Sequence, residues 1–256
     1  MKLSQVAAQL YTCRDLLRTP TDIAKTLTRL RQVGYTAVQV SGLGPISSQE
    51  LAHILFDTGM VCCATHEPAK AILDAPDIVI DRLQTLRCKN AAYPFPDRID
   101  FSSRKSVDAL IANLQRSGEA FARAGMILSY HNHNHEFRTL DGRPILERIY
   151  AGTTGEALKA ELDTYWIQYG GGDIVAWCRR MAGRLQLMHL KDYQTSPENI
   201  PLWGEVGAGV LDFKTIIAAA EESGCQWFAV EQDTTPGDPV EALAASFRYI
   251  AEYLAE

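Results

Sequence analysis

The sequence predicts an α/β fold: a (β/α)8 barrel filling a single domain over residues 1–256. Two observations carry this expectation. Short apolar runs alternate with amphipathic helical stretches eight times, with brief connections, and such alternation calls for a parallel sheet that eight units can close. The last four apolar runs also end in residue types that bind metals, and a barrel is the fold that gathers strand ends at one mouth.

The elements follow in order. Val6–Leu10 is the first strand, with Gln9 to Arg14 as its polar exit. Thr21–Val33 has helical periodicity, Thr21 or Asp22 near its start and Gly34 to end it. Thr36–Val40 is the second strand. Ser48–Thr58 is a helix closed by Gly59, and Val61–Thr65 is the third strand, leaving through His66-Glu67-Pro68. A helix over Pro76–Leu86 leads to a short strand around Arg87–Ala92 and then to the aromatic, proline-rich stretch Tyr93–Pro96. Ser106–Ala124 is a long helix ended by Gly125. Met126–Tyr130 is the fifth strand. Pro144–Tyr150 is helical, Leu158–Leu162 is the sixth strand, and Asp163-Thr164-Tyr165-Trp166 is its exit. A helix over Asp173–Met181 precedes the seventh strand, Leu185–Leu190. Gln194–Gly209 reads as a long glycine-rich loop. Asp212–Glu222 is a helix, Trp227–Val230 the eighth strand and Pro239–Ala255 the closing helix. An open doubly wound sheet would carry a glycine-rich phosphate loop after its first strand, and QLYTCRD is not one.

Composition narrows the partners. At 256 residues, 46% hydrophobic and 22% charged, the chain is an ordinary globular one. A net charge of −6 argues against a nucleic-acid backbone as partner. The six cysteines include no CxxC pair and sit in apolar or helical contexts, as reduced, buried thiols of a cytoplasmic protein do. No apolar run is long enough for a signal peptide or a membrane span.

The chemistry concentrates at strand ends. Ser129–Phe137 reads SYHNHNHEF, and strand alternation would place His131, His133 and His135 on one face while the strand lasts. Further ends contribute His66, Asp163, His189 with Lys191 and Asp192, and Glu231. Imidazole and carboxylate are ligands for Mn, Mg, Co, Fe or Zn. Lys191 reads first as an ion pair with Asp192 at the rim and next as a contact to a substrate oxygen or a developing negative charge. His66 reads as a substrate contact or a structural hydrogen bond. Trp166 can stack on the apolar face of a sugar ring or pack at the rim. His53, within LAHILF, reads as structural, and Arg14 and Trp203 as pocket walls.

The motifs YHNHNHEF, ELDTYW, HLKD, VGAGVLDF and VEQD resemble the sugar phosphate isomerase/epimerase superfamily, the xylose isomerase-like barrels that include inositol-catabolism and endonuclease IV-like proteins. The resemblance spans essentially the whole chain, is strongest from Tyr130 to Asp233, and is closest to the HNHxxEF branch. It implies one divalent metal held by Glu136, Asp163, His189 and Glu231, with Glu136 folding back after the strand; His131 or His133 is the alternative first ligand. It implies an isomerase or epimerase acting on a sugar, keto-sugar or cyclitol through an enediolate. Glu136, Glu231 and His133 are then the acid/base candidates, and His66, His131, Trp166 and Lys191 the substrate contacts. The alternative is a metal-dependent lyase, a keto-inositol-type dehydratase or an eliminase of a 3-keto-glycoside. Trp166 stands where the epimerase branch has a histidine. An endonuclease IV-like reading needs more histidines and a basic face, and a non-catalytic sugar-binding barrel would not need the Asp163, His189 and Glu231 set. Homodimers and homotetramers are common among such barrels.

Overall fold

The structure, a computed structural model, describes residues 1–198 and 200–256. Eight parallel strands close into a barrel: β1 (Val6–Gln9), β2 (Ala37–Val40), β3 (Val61–His66), β4 (Asn90–Tyr93), β5 (Ile127–His131), β6 (Lys159–Asp163), β7 (Leu185–Leu190) and β8 (Trp227–Val230). β1 pairs with both β2 and β8, through Ala7↔Ala37 and Ala7↔Ala229, which closes the ring. The expected (β/α)8 barrel is therefore the fold, and each expected strand lies within three residues of its observed bounds.

Helices form where capping and periodicity agree. The helix Arg104–Arg123 starts at Ser103, whose side chain accepts from the Ser106 amide, and buries Val107, Leu110, Leu114 and Phe121 along one face. Thr19, Ser47, Asp173, Asp212 and Asp238 cap other helices in the same way. These apolar faces pack on the outward residues of the strands, including Val38, Leu128, Leu162, Met188 and Phe228. All six cysteines are buried and unpaired.

The barrel interior is divided by polarity. Its lower part holds small apolar residues, Ala7, Ala37, Cys63, Ala64 and Leu187, with Trp227 packed against them. Above them the inward positions turn polar: Gln9, Gln39, His131, Glu161, Asp163, His189 and Glu231 are all buried. Register explains the gathering. His131 pairs with Glu161 and Asp163 with His189, so inward side chains of β5, β6 and β7 meet at matched heights.

Four connections differ from expectation. Leu10–Leu16 is a 3₁₀ turn rather than a plain polar exit. An extra helix, Ala69–Asp74, precedes Pro76–Thr85, and Pro76 sits at the start of the second because its missing N–H costs nothing there. The exit after β6 is itself helical, Thr164–Tyr169. The expected loop Gln194–Gly209 instead contains part of an antiparallel pair, Asp192–Thr195 with Pro201–Gly204; Asn199 lies outside the described residues.

Asp192 does not pair with Lys191. Alternation turns it outward, where Oδ2 accepts from the amides of Gly207 and Gly209 and Oδ1 from those of Tyr193, Val210 and Leu211. One carboxylate thus satisfies five backbone donors and pins the VGAGV turn beside the mouth. A Cβ on Gly209 would stand 2.2 Å from Asp192 Oδ1, so glycine is required for this approach. Asp192→Ala would remove the side-chain acceptor of these part-buried donors, of which the Val210 amide keeps a bond to the Tyr193 carbonyl. We expect a loss of stability of about 2–4 kcal/mol, read by urea unfolding. A loss under about 0.5 kcal/mol would contradict the clamp.

Candidate metal and catalytic site at the barrel mouth

Two groups of ligand-type atoms converge at the C-terminal ends of the strands: Asp163, His189 and Glu231 in one, and His66, His131, Glu161 and His189 in the other. His189 belongs to both. Its Nδ1 lies 2.6 Å from Glu231 Oε2 and 3.8 Å from Asp163 Oδ2. Its Nε2 lies 2.7 Å from Gln39 Oε1 and 3.1 Å from Glu161 Oε1.

Asp163 is placed by a cap. Its Oδ1 accepts from the Trp166 amide at 2.9 Å, holding the start of Thr164–Tyr169, and this leaves Oδ2 for the site. The Asp163 amide is in turn held by Asn132 Oδ1. Oδ2 accepts no aligned hydrogen bond, although Lys191 Nζ stands 3.1 Å away. Lys191 also reaches Glu231 Oε2 and Asp233 Oδ1, each at 2.9 Å, so its ammonium is held by three carboxylates. Its Nζ faces the rings of Trp166 and Trp203, 5.7 and 5.8 Å from their centres.

Charge in this buried space is strongly coupled. Burial pushes the Glu231 carboxyl up, but Lys191 and His189 more than reverse it and hold it well below its usual range. Burial works against a charged His189, yet Glu161 and Glu231 raise it to about 10. Asp163 is pushed up to about 6 by burial, partly offset by Lys191. His131 is driven down to about 3 by burial and by His189, and is neutral.

The histidine-rich segment is only partly strand. β5 stops at His131, and the chain then turns, so a loop rather than alternation places His133 and His135. All three rings still line one cavity of about 520 Å³, along with His66, Trp166 and Glu231. His133 packs against Trp166 and Phe95, and its Nδ1 has no partner.

The structure does not bring Glu136 into either group. Its Oε1 accepts from Tyr130 Oη at 2.8 Å and its Oε2 from the His133 amide at 2.9 Å. The carboxylate therefore braces the turn from behind and is fully buried. Three residues that the sequence reading did not single out stand at the centre instead: Glu161, Gln39 and Asp233. The available signal for Glu161 was its spacing, since residues two apart on a strand share a face with Asp163. Gln39 lies inside an ordinary-looking apolar strand and offered none.

The donor set suits a divalent cation. Four carboxylates (Glu161, Asp163, Glu231 and Asp233) face Lys191 and His189, so negative charge is in surplus. The oxygen and imidazole donors are those of hard or borderline metals.

Comparisons agree with this architecture. Residues 27–253 match the family model described as xylose isomerase-like TIM barrel. The chain is 26% identical over 204 residues to an inosose dehydratase of Lactiplantibacillus plantarum, covering 73% of this chain and 67% of that protein. A sugar phosphate isomerase/epimerase from Parabacteroides distasonis superposes with a TM-score of 0.83 at 21% identity, covering 98% of this chain and 95% of the other. The probable 3-DHS dehydratase of Bacillus anthracis superposes at 0.74 and 14% identity, over 99% of this chain and all of the other.

Glu136 provides a pH test. Burial raises its carboxyl to about 7, against the bonds from Tyr130 and His133 that favour the charge. The folded state therefore binds this proton more tightly than the unfolded chain, whose carboxyl titrates near the usual 4.5 of a glutamate. Its contribution to stability is full below that lower value and is lost as pH rises through about 7. Glu136→Gln should accordingly flatten the decline of stability across this window, followed by thermal unfolding at several pH values. A parallel slope in the two proteins would contradict the assignment.

Proposed function

The chain belongs to the xylose isomerase-like TIM barrel family, and from that premise we propose that it is a divalent-metal-dependent isomerase or epimerase of an uncharged keto-sugar or cyclitol, working through an enediolate. The observation that carries this reading is the convergence of Asp163, His189 and Glu231 beneath a cavity large enough for one sugar ring. Asp163, Glu231 and the Nδ1 of His189 would hold the cation. His131, whose Nε2 lies 3.9 Å from Asp163 Oδ2, is better placed as a fourth ligand than Glu136. Such a cation supplies Lewis-acid polarisation of a carbonyl and its neighbouring hydroxyl.

The remaining roles fall to the side chains around the cavity. Glu231 is ionised at neutral pH and reaches the cavity, so it can accept the proton α to the carbonyl. Neutral His133, with an unpartnered Nδ1, serves as the second proton carrier. Lys191, tethered by its carboxylates, offers positive charge to a developing oxyanion. Trp166 supplies an apolar wall for a ring face and His66 borders the opening.

Charge around the opening supports an unphosphorylated substrate. Glu67, Glu231 and Asp233 line the cavity, and among the described residues Lys191 is the one lysine or arginine that does so; the arginines nearby are paired. Lys191 is bound by three carboxylates, Arg82 pairs with Glu67, and Arg14 donates to the Tyr11 and Asp233 carbonyls. A phosphate would meet three carboxylates and, among the described residues, a single lysine already shared by carboxylates.

A second reading has its own support. The similarity to an inosose dehydratase favours a lyase that shares the α-proton abstraction and then expels a β-hydroxyl. Both readings are tested together by metal analysis and by incubation in heavy water with ketoses, 3-keto-glycosides and inosose. We expect about one metal per chain, lost in Asp163→Asn, and deuterium at the carbon beside the carbonyl. Retained polyol with deuterium identifies the isomerase, and loss of water identifies the lyase. A protein that holds no metal and exchanges nothing would overturn both. In a separate comparison, kcat/KM for a neutral substrate should exceed that of its phosphate ester by at least about tenfold, from like-charge repulsion alone. Equal values would contradict the charge argument.

A further inference from the structure

Glu161 is fully buried, does not line the cavity and has no Lys or Arg paired with it among the described residues. What surrounds it is imidazole. Its Oε1 lies 2.5 Å from His66 Nε2, 3.1 Å from His189 Nε2 and 3.2 Å from His131 Nδ1. Its Oε2 accepts from Gln39 Nε2 at 2.8 Å. The approach of His131 is off-line for a full hydrogen bond, which leaves that nitrogen the least satisfied of the three.

We infer that Glu161 is the positioning residue of this site, deciding which nitrogen of His189 and of His131 faces Asp163 and Glu231. The inference rests on the metal-site reading above. An imidazole has two ring nitrogens, and a neutral ring carries its proton on only one. An ionised carboxylate only accepts, so each nitrogen facing Glu161 carries a hydrogen, and the opposite nitrogen is the one left to bind a cation. For His189, charged in the metal-free protein because Nδ1 also faces ionised Glu231, Nδ1 is the nitrogen that would give up its proton and ligate a cation held with Glu231 and Asp163. For His131 that nitrogen is Nε2, toward Asp163 Oδ2. The two histidines thus present different nitrogens to one place because one oxygen sits between their other nitrogens.

Gln39 completes the device. Its amide N–H₂ is spent on Glu161 Oε2, which turns Oε1 toward His189 Nε2. A second acceptor therefore holds the same tautomer of His189 but not of His131. Partners of this outer kind tune metal affinity by about 10- to 100-fold when removed. The placement is also local in sequence: β6 supplies Asp163 to the site and, two residues earlier on the same face, the carboxylate that orients its neighbours.

The test reads tautomers and affinity rather than turnover. Histidine two-bond ¹⁵N spectra would be recorded on the metal-free and zinc-loaded protein, with Zn²⁺ affinity by calorimetry and melting temperature as the check on folding. Zinc-loaded wild type should show Nε2–H for His189 and Nδ1–H for His131. Glu161→Gln should lose about 10- to 100-fold in Zn²⁺ affinity and mix the tautomers of both rings. Gln39→Leu should loosen His189 and leave His131 unchanged. A purely structural Glu161 would lower the melting temperature without moving the tautomers, and that result overturns the inference. So do the opposite tautomers in wild type. If Glu161→Gln fails to fold, the wild-type spectra and Gln39→Leu decide. If wild type binds no zinc, the metal reading fails, while the His131 tautomer in the metal-free protein still decides the role of Glu161.

Discussion

Buried negative charge at the top of the barrel is the constraint on which the site depends. Glu161 and Asp163 are fully buried, and Glu231 nearly so. Isolated carboxylates cannot persist there, because desolvation would drive them to protonate. Each is answered by a specific partner: three imidazoles and an amide around Glu161, a helix start and Lys191 around Asp163, His189 and Lys191 around Glu231. The answer is incomplete in one respect, since carboxylates still outnumber cations, and a surplus of this kind is what a divalent cation neutralises.

The barrel makes this arrangement affordable in another sense, through geometry. Parallel strands in matched register bring side chains from distant parts of the chain to one height without long loops. β2 and β6 are far apart in sequence, yet Gln39 reaches Glu161 across the interior. Below this contact the interior holds Ala7, Ala37, Cys63, Ala64 and Leu187, so the polar layer rests largely on small apolar side chains. Apolar neighbours on that side lower the local dielectric and strengthen the interactions above them. Outside the ring, Asp192 uses the opposite face of the same segment that presents His189 and Lys191 inward, so a single alternating run both arms the site and anchors its rim.

Two glutamates show where reading a sequence reaches its limit. Glu136 belongs to a conspicuous run of polar residues, and its prominence invites a catalytic role. The turn after β5 sends it backward, because Tyr130 and the His133 amide offer it two hydrogen bonds in a buried space. Glu161 is inconspicuous within KAELD, yet it sits two residues before Asp163 on the inward face. Prominence in sequence measures local composition. Position in a site depends on which face of a strand a residue occupies and on what stands across from it.

The amino-acid sequence by itself determined the alternation of strands and helices, the closed barrel and the candidates Asp163, His189 and Glu231. Those follow from local signals, namely apolar periodicity, caps and polar residues at strand ends. Only the tertiary structure decided that Lys191 turns in while Asp192 turns out to clamp a glycine turn. It alone decided that Glu136 braces a loop, and that Glu161 and Gln39 stand among the histidines. The last depends on barrel register and on contacts more than a hundred positions apart, such as Gln39 with Glu161, and the others on how the chain turns after a strand, which no local pattern encodes.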